Sequence, residues 1–291
     1  YLPPKVITNE DLAKRFDSWS AEKILIKTGI AQRHIAEENE TAADLAKIAA
    51  KRLFEKISID PKKIDMLLFV TQTPDQALPP SSCGLHKELG LSENCGTFDI
   101  NQGCAGFIYG LSIAKGLICS GDANHVLLLT GDTYSKLLNS EDRSVVTLFG
   151  DGASATLIGP DEPGCPSGIG LCRFGTDGTR GRLLHCGFTG WRLPTEQQEH
   201  LKMDGAGILL FTLSTLPRDL KLYLKESGIP LENYTSVIFH QANKFILEKL
   251  YAKLEITDKG IISMAQSGNT ISSTIPIALD SVYSFEKDKN K

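Results

Sequence analysis

The order helix, buried strand, helix occurs twice along this chain of 291 residues, and it limits the possible folds more than any other feature. In the first half, apolar spacing over 41–57 predicts an amphipathic helix that Thr41 caps. The run MLLFVTQT at 66–73 is typical of a strand covered on both faces, and a helix is predicted over 81–89. This alternation predicts an α/β fold with largely parallel sheets.

The second half repeats the order, with a helix predicted over 216–226, a strand over 235–239 and a helix over 244–254. When the halves are matched, Gly103-Cys104 corresponds to Gly268-Asn269, and His240 ends its strand where Thr71 ends the first. We therefore predict one duplicated unit, with an N-terminal half over 1–160 and a C-terminal half over 161–291.

Composition excludes several classes of protein. The net charge of −4 creates no basic field for nucleic acid, and no apolar run reaches the roughly 18 residues of a membrane span. The first residues, YLPPKVITNE, have no signal-peptide pattern. The seven cysteines fit no metal-binding spacing, so we expect no metal, no cofactor and a reducing, cytoplasmic location.

Cys104 stands between the strand-like segment GTFDI and the predicted helix 105–119. A helix N-terminus lowers the pKa of a thiol and so favours the nucleophilic thiolate. A small buried cysteine that only packs is the alternative. The segment alone leaves both readings open.

His240 and Asn269 are the polar residues that match Cys104 in the second half. In open α/β sheets, ligands gather at the carboxyl ends of strands, and all three residues follow predicted strands. An imidazole beside a neutral amide suits a site that stabilises a carbonyl oxygen becoming negative. We predict that Cys104, His240 and Asn269 form one catalytic site.

Six segments together resemble the β-ketoacyl-(acyl carrier protein) synthase III family over nearly the whole chain. They are TGIAQRH (28–34), TQTPDQALP (71–79), DINQGCAGFIYGL (99–111), FGDGASATLIG (149–159), HQAN (240–243) and SGNT (267–270). The resemblance implies a thiolase-like fold, in which two duplicated halves form five layers in the order α-β-α-β-α. It also implies a cytoplasmic homodimer that acts with acyl carrier protein and an acyl-coenzyme A or acyl-carrier primer.

By this resemblance, Cys104 takes the primer acyl group in a ping-pong reaction. His240 and Asn269 then bind the malonyl thioester carbonyl, favour decarboxylation and stabilise the enolate that attacks the acyl-cysteine. The further residues that the resemblance assigns to the substrate or to coenzyme A are Lys27, Arg143, Met203, Gly205, Ala242 and Asn243. Lys244 is assigned to docking of the carrier protein.

The chain departs from the family where coenzyme A is expected to bind. Lys23 occupies the position of the family's adenine-stacking tryptophan, and Trp19 lies four residues earlier. Phe245 replaces a carrier-docking arginine. Loss of the stacking face would cost about 1–3 kcal/mol, which leaves an acyl carrier protein as an alternative donor of the primer.

Two other functions stay open from the sequence. The enzyme could transfer the acyl group to a hydroxyl or amine without decarboxylation, or the chain could be a non-catalytic carrier-binding protein. The family also has a strand before Tyr1 and a glycine-rich strand after Lys291, and we expect both segments to belong to the protein.

Overall fold

The computed structural model describes residues 1–16, 18–161, 168–187 and 199–289, with side chains described as far as 282. The strands are β1 (Val6–Thr8), β2 (Gln32–His34), β3 (Met66–Val70), β4 (Gly96–Ile100), β5 (Val126–Asp132), β6 (Gly152–Ile158), β7 (Leu184–His185) and β8 (Lys202–Met203). The helices are α1 (Asn9–Ala13), α2 (Ala21–Thr28), α3 (Ala42–Ile57), α4 (Ser81–Glu88), α5 (Gly106–Ser120), α6 (Arg143–Val146), α7 (Gly205–Ser227), α8 (Lys244–Leu254) and α9 (Thr274–Lys289).

The central sheet has the order β4-β3-β5-β6. Strand β3 pairs in parallel with both β4 and β5, so that Leu68 lies opposite Phe98 on one side and Leu128 on the other. Strand β6 runs antiparallel to β5. The parallel strands end at one edge of the sheet, which places the segments after β3, β4 and β5 side by side.

Both faces of this sheet are buried, because successive side chains of a strand point to opposite faces. Leu67 and Phe69 pack with α3 and α4 on one face, whereas Leu68 and Val70 pack with α5 on the other. All four side chains are fully buried. The apolar run at 66–70 therefore has the role in the fold that the sequence predicted.

Helix bounds agree with the sequence in most places. Thr41 caps α3 through a capping box with Asp44, and α8 covers the predicted residues 244–254. Helix α7 is longer than predicted, because it begins at Gly205 and continues through Pro217. Asp204 caps its first turn by accepting a hydrogen bond from the Gly207 N–H, a signal that the pattern over 216–226 did not include.

The strand predicted at 235–239 is present only as an isolated bridge between Val237 and Gly260. The Gln241 side chain explains why the ladder stops. Its Nε2 donates to the carbonyls of Phe239 (2.7 Å) and Ile261 (3.2 Å), which occupies acceptors that a neighbouring strand would use.

The glycine-containing sequence at 145–159 is typical of a hairpin with its turn at 150–153, but the structure does not form a hairpin there. Strand β6 starts at Gly152 and pairs with β5, while Phe149 forms a parallel bridge with Asn269. The Asn269 N–H donates to the Leu148 carbonyl (2.9 Å), and the Gly150 N–H donates to the Asn269 carbonyl (3.0 Å). This bridge ties the candidate site's asparagine to the first half of the chain.

Helix α5 lies so close to β5 that one of its glycines has no room for a side chain. A Cβ on Gly110 would overlap the Leu128 side chain, whereas a Cβ on Gly116 in the same helix would meet nothing within 4 Å. We expect Gly110→Ala to lower the free energy of unfolding by about 1–3 kcal/mol through overpacking, partly offset by about 1 kcal/mol of helix propensity.

The matched control is Gly116→Ala, which is expected to be neutral or to stabilise by up to about 1 kcal/mol. Urea unfolding followed by circular dichroism measures both changes. Equal effects of the two substitutions would show that α5 does not press on β5 at Gly110.

Candidate active site

Cys104 lies after β4, two residues before α5 begins. The turn is held by the Gln102 N–H, which donates to the Ile100 carbonyl (2.9 Å), and by the Gly106 N–H, which donates to the Gly103 carbonyl (2.8 Å). Cys104 packs against a buried apolar cluster that includes Tyr134. The nucleophile candidate therefore lies at a helix N-terminus, as predicted, but in apolar surroundings.

His240 is held by one short side-chain hydrogen bond. Its Nδ1 lies 2.7 Å from Oγ1 of Thr274, the first residue of α9. Burial lowers the pKa of His240 to about 4, although the nearby Ile271 backbone partly opposes this shift. The imidazole is therefore neutral at physiological pH.

Asn269 is almost fully buried, with 4% of its surface exposed. Its Oδ1 accepts a hydrogen bond from the Ile271 N–H at 3.0 Å. Gly268 before it has φ +72°, a left-handed conformation that glycine adopts without strain. Because the amide oxygen is already engaged, Nδ2 is the end of the side chain that remains to donate to a ligand.

Ile271 lies close to the predicted residues. Its N–H donates to Asn269, its backbone lies against the His240 ring, and it belongs to the apolar cluster against which Cys104 packs. Ile271 is fully buried and has φ +52°, an uncommon conformation for a β-branched residue. Such a conformation persists only where the surrounding packing holds it, and it is typical of functional sites.

The protonation state of Cys104 differs from the sequence prediction. Although the residue is partly exposed, its surroundings are dense, and burial followed by the charge of Asp132 raises the pKa of the thiol to about 12. A rise of that size corresponds to roughly 4 kcal/mol against the thiolate. The helix N-terminus stabilises the thiolate by at most about 2 kcal/mol. Because the free-energy cost of desolvation is larger, Cys104 is a thiol at rest.

Asp132 is a buried acidic residue whose charge acts on Cys104, and the sequence reasoning missed it. It ends β5, is fully buried, and accepts hydrogen bonds from the Gln72 N–H (2.8 Å) and from the N–H (3.2 Å) and hydroxyl of Ser272. Burial raises the pKa of Asp132 to about 7. The available signal was an acidic residue directly after the apolar run VLLLTG.

Lys27 and Arg143, which the sequence assigned to coenzyme A, meet at the ring of Trp19. The Lys27 Nζ lies 4.7 Å from the ring centroid, and the Arg143 Cζ lies 5.6 Å from it. The Lys23 Nζ is 5.8 Å away. The chain thus places an aromatic face among these cations, although Trp19 is four residues away from the expected position.

The remaining predicted substrate residues lie in two places. Met203 packs against the apolar cluster that also contacts Cys104, and Gly205 is the first residue of α7. The Ala242 N–H donates to the His240 carbonyl (2.9 Å). Asn243 caps α8 by accepting from the Ile246 N–H, so its Oδ1 is already occupied.

Lys244, the predicted docking residue, begins α8 and lies at a surface groove of about 630 Å³. Its Nζ is 3.6 Å from Glu248. Leu25, Ile26 and Ile262 supply the apolar wall of the groove, and Ile271 is not among its lining residues.

Within the described part of the chain, no cluster of three or more histidine, cysteine or acidic side chains is arranged to hold a metal ion. None of the helices described is both long and apolar enough to cross a membrane.

The fold is that of the thiolase-like condensing enzymes, as solved structures show. A 2.1 Å crystal structure of 3-oxoacyl-(acyl-carrier-protein) synthase III superposes with a TM-score of 0.94 at 42% identity, covering 98% of this chain and 89% of that one. The synthase III of Aquifex aeolicus superposes with a TM-score of 0.89 at 34% identity, covering 99% and 89%. The predicted α/β, thiolase-like fold is confirmed.

Family models give the particular assignment. The model described as 3-oxoacyl-[acyl-carrier-protein (ACP)] synthase III matches residues 98–178, and its C-terminal counterpart matches 224–290. A β-ketoacyl-[acyl-carrier-protein] synthase III of Caldanaerobacter subterraneus is 37% identical over 290 residues, covering 97% of this chain and 86% of that protein. The chain belongs to the 3-oxoacyl-(acyl carrier protein) synthase III family.

Membership in this family settles the general activity. The chain is an acyltransferase of the condensing type, as the sequence predicted, and the comparisons favour this reading over acyl transfer to a hydroxyl or amine. The priming β-ketosynthase from the R1128 polyketide biosynthetic pathway superposes with a TM-score of 0.87 at 32% identity, covering 97% of this chain and 84% of that one.

The high pKa of the Cys104 thiol has a direct chemical consequence. Because only the thiolate reacts with iodoacetamide, we expect alkylation of Cys104 to accelerate about tenfold per pH unit from pH 7 to 9.5, without a plateau. Peptide-resolved mass spectrometry measures the rate at Cys104 separately from the other cysteines. A plateau with a midpoint below pH 8 would show that the helix N-terminus outweighs burial.

The control variant for this measurement is Asp132→Asn, which removes the nearby negative charge. Asp132 is ionised above its pKa of about 7, so the variant is expected to be alkylated faster at pH 9, by up to about tenfold, the equivalent of one pKa unit. An unchanged rate would mean that the charge of Asp132 does not reach the thiol.

Proposed function

We propose that Cys104 is the acyl acceptor and that His240 and Asn269 bind the malonyl thioester carbonyl. The observation that carries this proposal is the position of Ile271, which contacts His240 and Asn269 and belongs to the apolar cluster against which Cys104 packs. A neutral imidazole and an amide Nδ2 are both hydrogen-bond donors without charge, which suits an oxygen that becomes negative only during the reaction.

The proposed reaction has two half-reactions. In the first, the Cys104 sulfur attacks the primer thioester, and the proton of its thiol leaves with the released thiol. In the second, the malonyl group loses carbon dioxide, and the electrons of the broken C–C bond form an enolate. The enolate attacks the acyl-cysteine, and the departing Cys104 thiolate takes up one proton, which restores the resting thiol.

We propose that the primer arrives on coenzyme A, with its adenine on Trp19 and its phosphates near Lys27 and Arg143. The three cations around one aromatic ring support this assignment. Arg143 is also positioned, because its Nη1 donates to the Ser18 hydroxyl at 2.8 Å. On this account, Trp19 restores the stacking face that the sequence comparison treated as lost.

The other assigned residues have supporting roles in this proposal. Met203 and Gly205 would line the path to Cys104, while Ala242 and Asn243 hold the turn after His240. Lys244 would meet an anionic group of the acyl carrier protein at the rim of its apolar groove.

We further propose that the protein is a cytoplasmic homodimer. Each protomer would consist of the duplicated halves 1–160 and 161–291. Strand β4 is an edge of the described sheet, and an unpaired edge is a template for pairing with a second chain. Phe98 on that strand is 36% exposed, which a partner subunit would cover. The cysteines in the described ranges are free, in keeping with a reducing compartment.

The division of labour between Cys104 and His240 is testable by following each half-reaction. We expect Cys104→Ser to lose primer loading. We expect His240→Ala to keep loading within about threefold but to lose about 100-fold or more of malonyl decarboxylation, because an oxyanion donor is removed. Intact mass of the acyl-enzyme reports the first step, and release of labelled carbon dioxide reports the second. Equal loss of both steps in His240→Ala would contradict these roles.

The coenzyme A site has its own test in Trp19. Trp19→Ala is expected to raise KM for an acyl-coenzyme A primer about 5- to 150-fold, the equivalent of 1–3 kcal/mol of stacking. Trp19→Phe, which keeps an aromatic face, is the matched control and should lose less. The same acyl group on an acyl carrier protein should load at an unchanged rate. Equal effects on both donors would remove the adenine assignment.

A further inference from the structure

The Thr274 hydroxyl is the only side-chain group for which the described residues show a hydrogen bond to the His240 ring. Its Oγ1 lies 2.7 Å from Nδ1 of His240 and 3.2 Å from the Ile271 carbonyl, and it accepts from the Gln241 N–H at 3.3 Å. Thr274 is 3% exposed, so water does not compete freely for these contacts. The hydroxyl has one proton and two possible acceptors for it.

A neutral imidazole carries its proton on only one nitrogen, and the partner of the other nitrogen selects which one. If His240 is to donate a hydrogen bond to the malonyl thioester oxygen, the proton must be on Nε2, since Nδ1 faces Thr274. Nδ1 must then accept a hydrogen bond. The proposed second half-reaction therefore requires a donor where Thr274 stands.

The contacts of Oγ1 favour donation to His240. The Gln241 N–H already supplies a hydrogen bond to this oxygen. Of the two acceptors left for the hydroxyl proton, Nδ1 at 2.7 Å has the distance of a strong hydrogen bond, whereas the Ile271 carbonyl at 3.2 Å is at the weak end of the range.

We propose that Thr274 is a positioning residue that holds His240 as the Nε2–H tautomer and thereby sets the rate of the decarboxylation half-reaction. This inference rests on the role of His240 proposed above. No proton leaves the ring in the step: Nε2–H donates a hydrogen bond to the thioester oxygen while carbon dioxide departs. Loading of Cys104 does not depend on this tautomer and should be little affected.

The test compares Thr274→Val, which removes the hydroxyl but keeps the branched shape, with Thr274→Ser, which keeps the hydroxyl. We expect Thr274→Val to decarboxylate malonyl-carrier at least about tenfold more slowly. This fall in rate lies between the fall expected from the loss of one hydrogen bond and that from the loss of an oxyanion donor. Primer loading should stay within about threefold, and Thr274→Ser should recover most of the decarboxylation rate. A fall of both half-reactions together in Thr274→Val would indicate a structural role and overturn the proposal.

A second measurement uses the native protein and does not depend on the folding of any variant at position 274. In protein labelled with ¹⁵N-histidine, the imidazole shifts distinguish a protonated from an unprotonated Nδ1, and His240→Gln identifies the signals of His240. We expect an unprotonated Nδ1. A protonated Nδ1 in the native enzyme would overturn the tautomer assignment.

The outcome for His240→Ala separates this inference from the proposed function. If His240→Ala decarboxylates normally, the catalytic role of His240 is wrong and Thr274 has no tautomer to select. If His240→Ala is inactive in decarboxylation while Thr274→Val matches the native rate, only the role of Thr274 is wrong.

Discussion

The hydrogen bonds that the buried Asp132 carboxyl group accepts are the interactions on which the candidate active site depends. Asp132 stands at the end of β5 and accepts hydrogen bonds from the turn after β3, through Gln72, and from the segment after Asn269, through Ser272. These contacts join the sheet of the first half to the asparagine segment of the second. Without the carboxylate, buried donors would lose their acceptor, at a cost of about 1–3 kcal/mol for each group.

The same burial determines the chemistry of the site. Low polarity disfavours every charged form, so Cys104 stays a thiol and His240 a neutral imidazole. Because His240 is uncharged at rest, it can donate a hydrogen bond to an oxygen that becomes negative only during the reaction. Ile271 fixes the geometry, since its backbone touches both His240 and Asn269.

The parts of this structure that could be predicted from the sequence are those that depend on local pattern. The buried strand at 66–70, the capped helix from Ala42 and the place of Cys104 before α5 all follow from apolar spacing and capping residues. The grouping of Cys104 with His240 and Asn269 depends on the order of elements that the sequence predicts for both halves, and it stays a prediction.

The parts that could not be predicted depend on contacts distant in sequence. Trp19 lies beside Arg143 in the fold, a contact between distant positions that counting from the TGI segment does not reveal. Asp132 gains its importance from Ser272, which is 140 positions away. The raised pKa of Cys104 reflects burial that no local pattern reports, whereas the helix N-terminus, a local feature, predicted the opposite direction.

The most direct test of the account is a single turnover of the acyl-enzyme. Enzyme with its primer acyl group on Cys104, freed of donor, is mixed with malonyl-carrier, and the lost acyl-cysteine, the released carbon dioxide and the products are counted together. The account predicts one carbon dioxide and one 3-oxoacyl-carrier for each acyl-cysteine consumed. Consumption of the acyl-cysteine without carbon dioxide, or formation of an ester or amide, would contradict it.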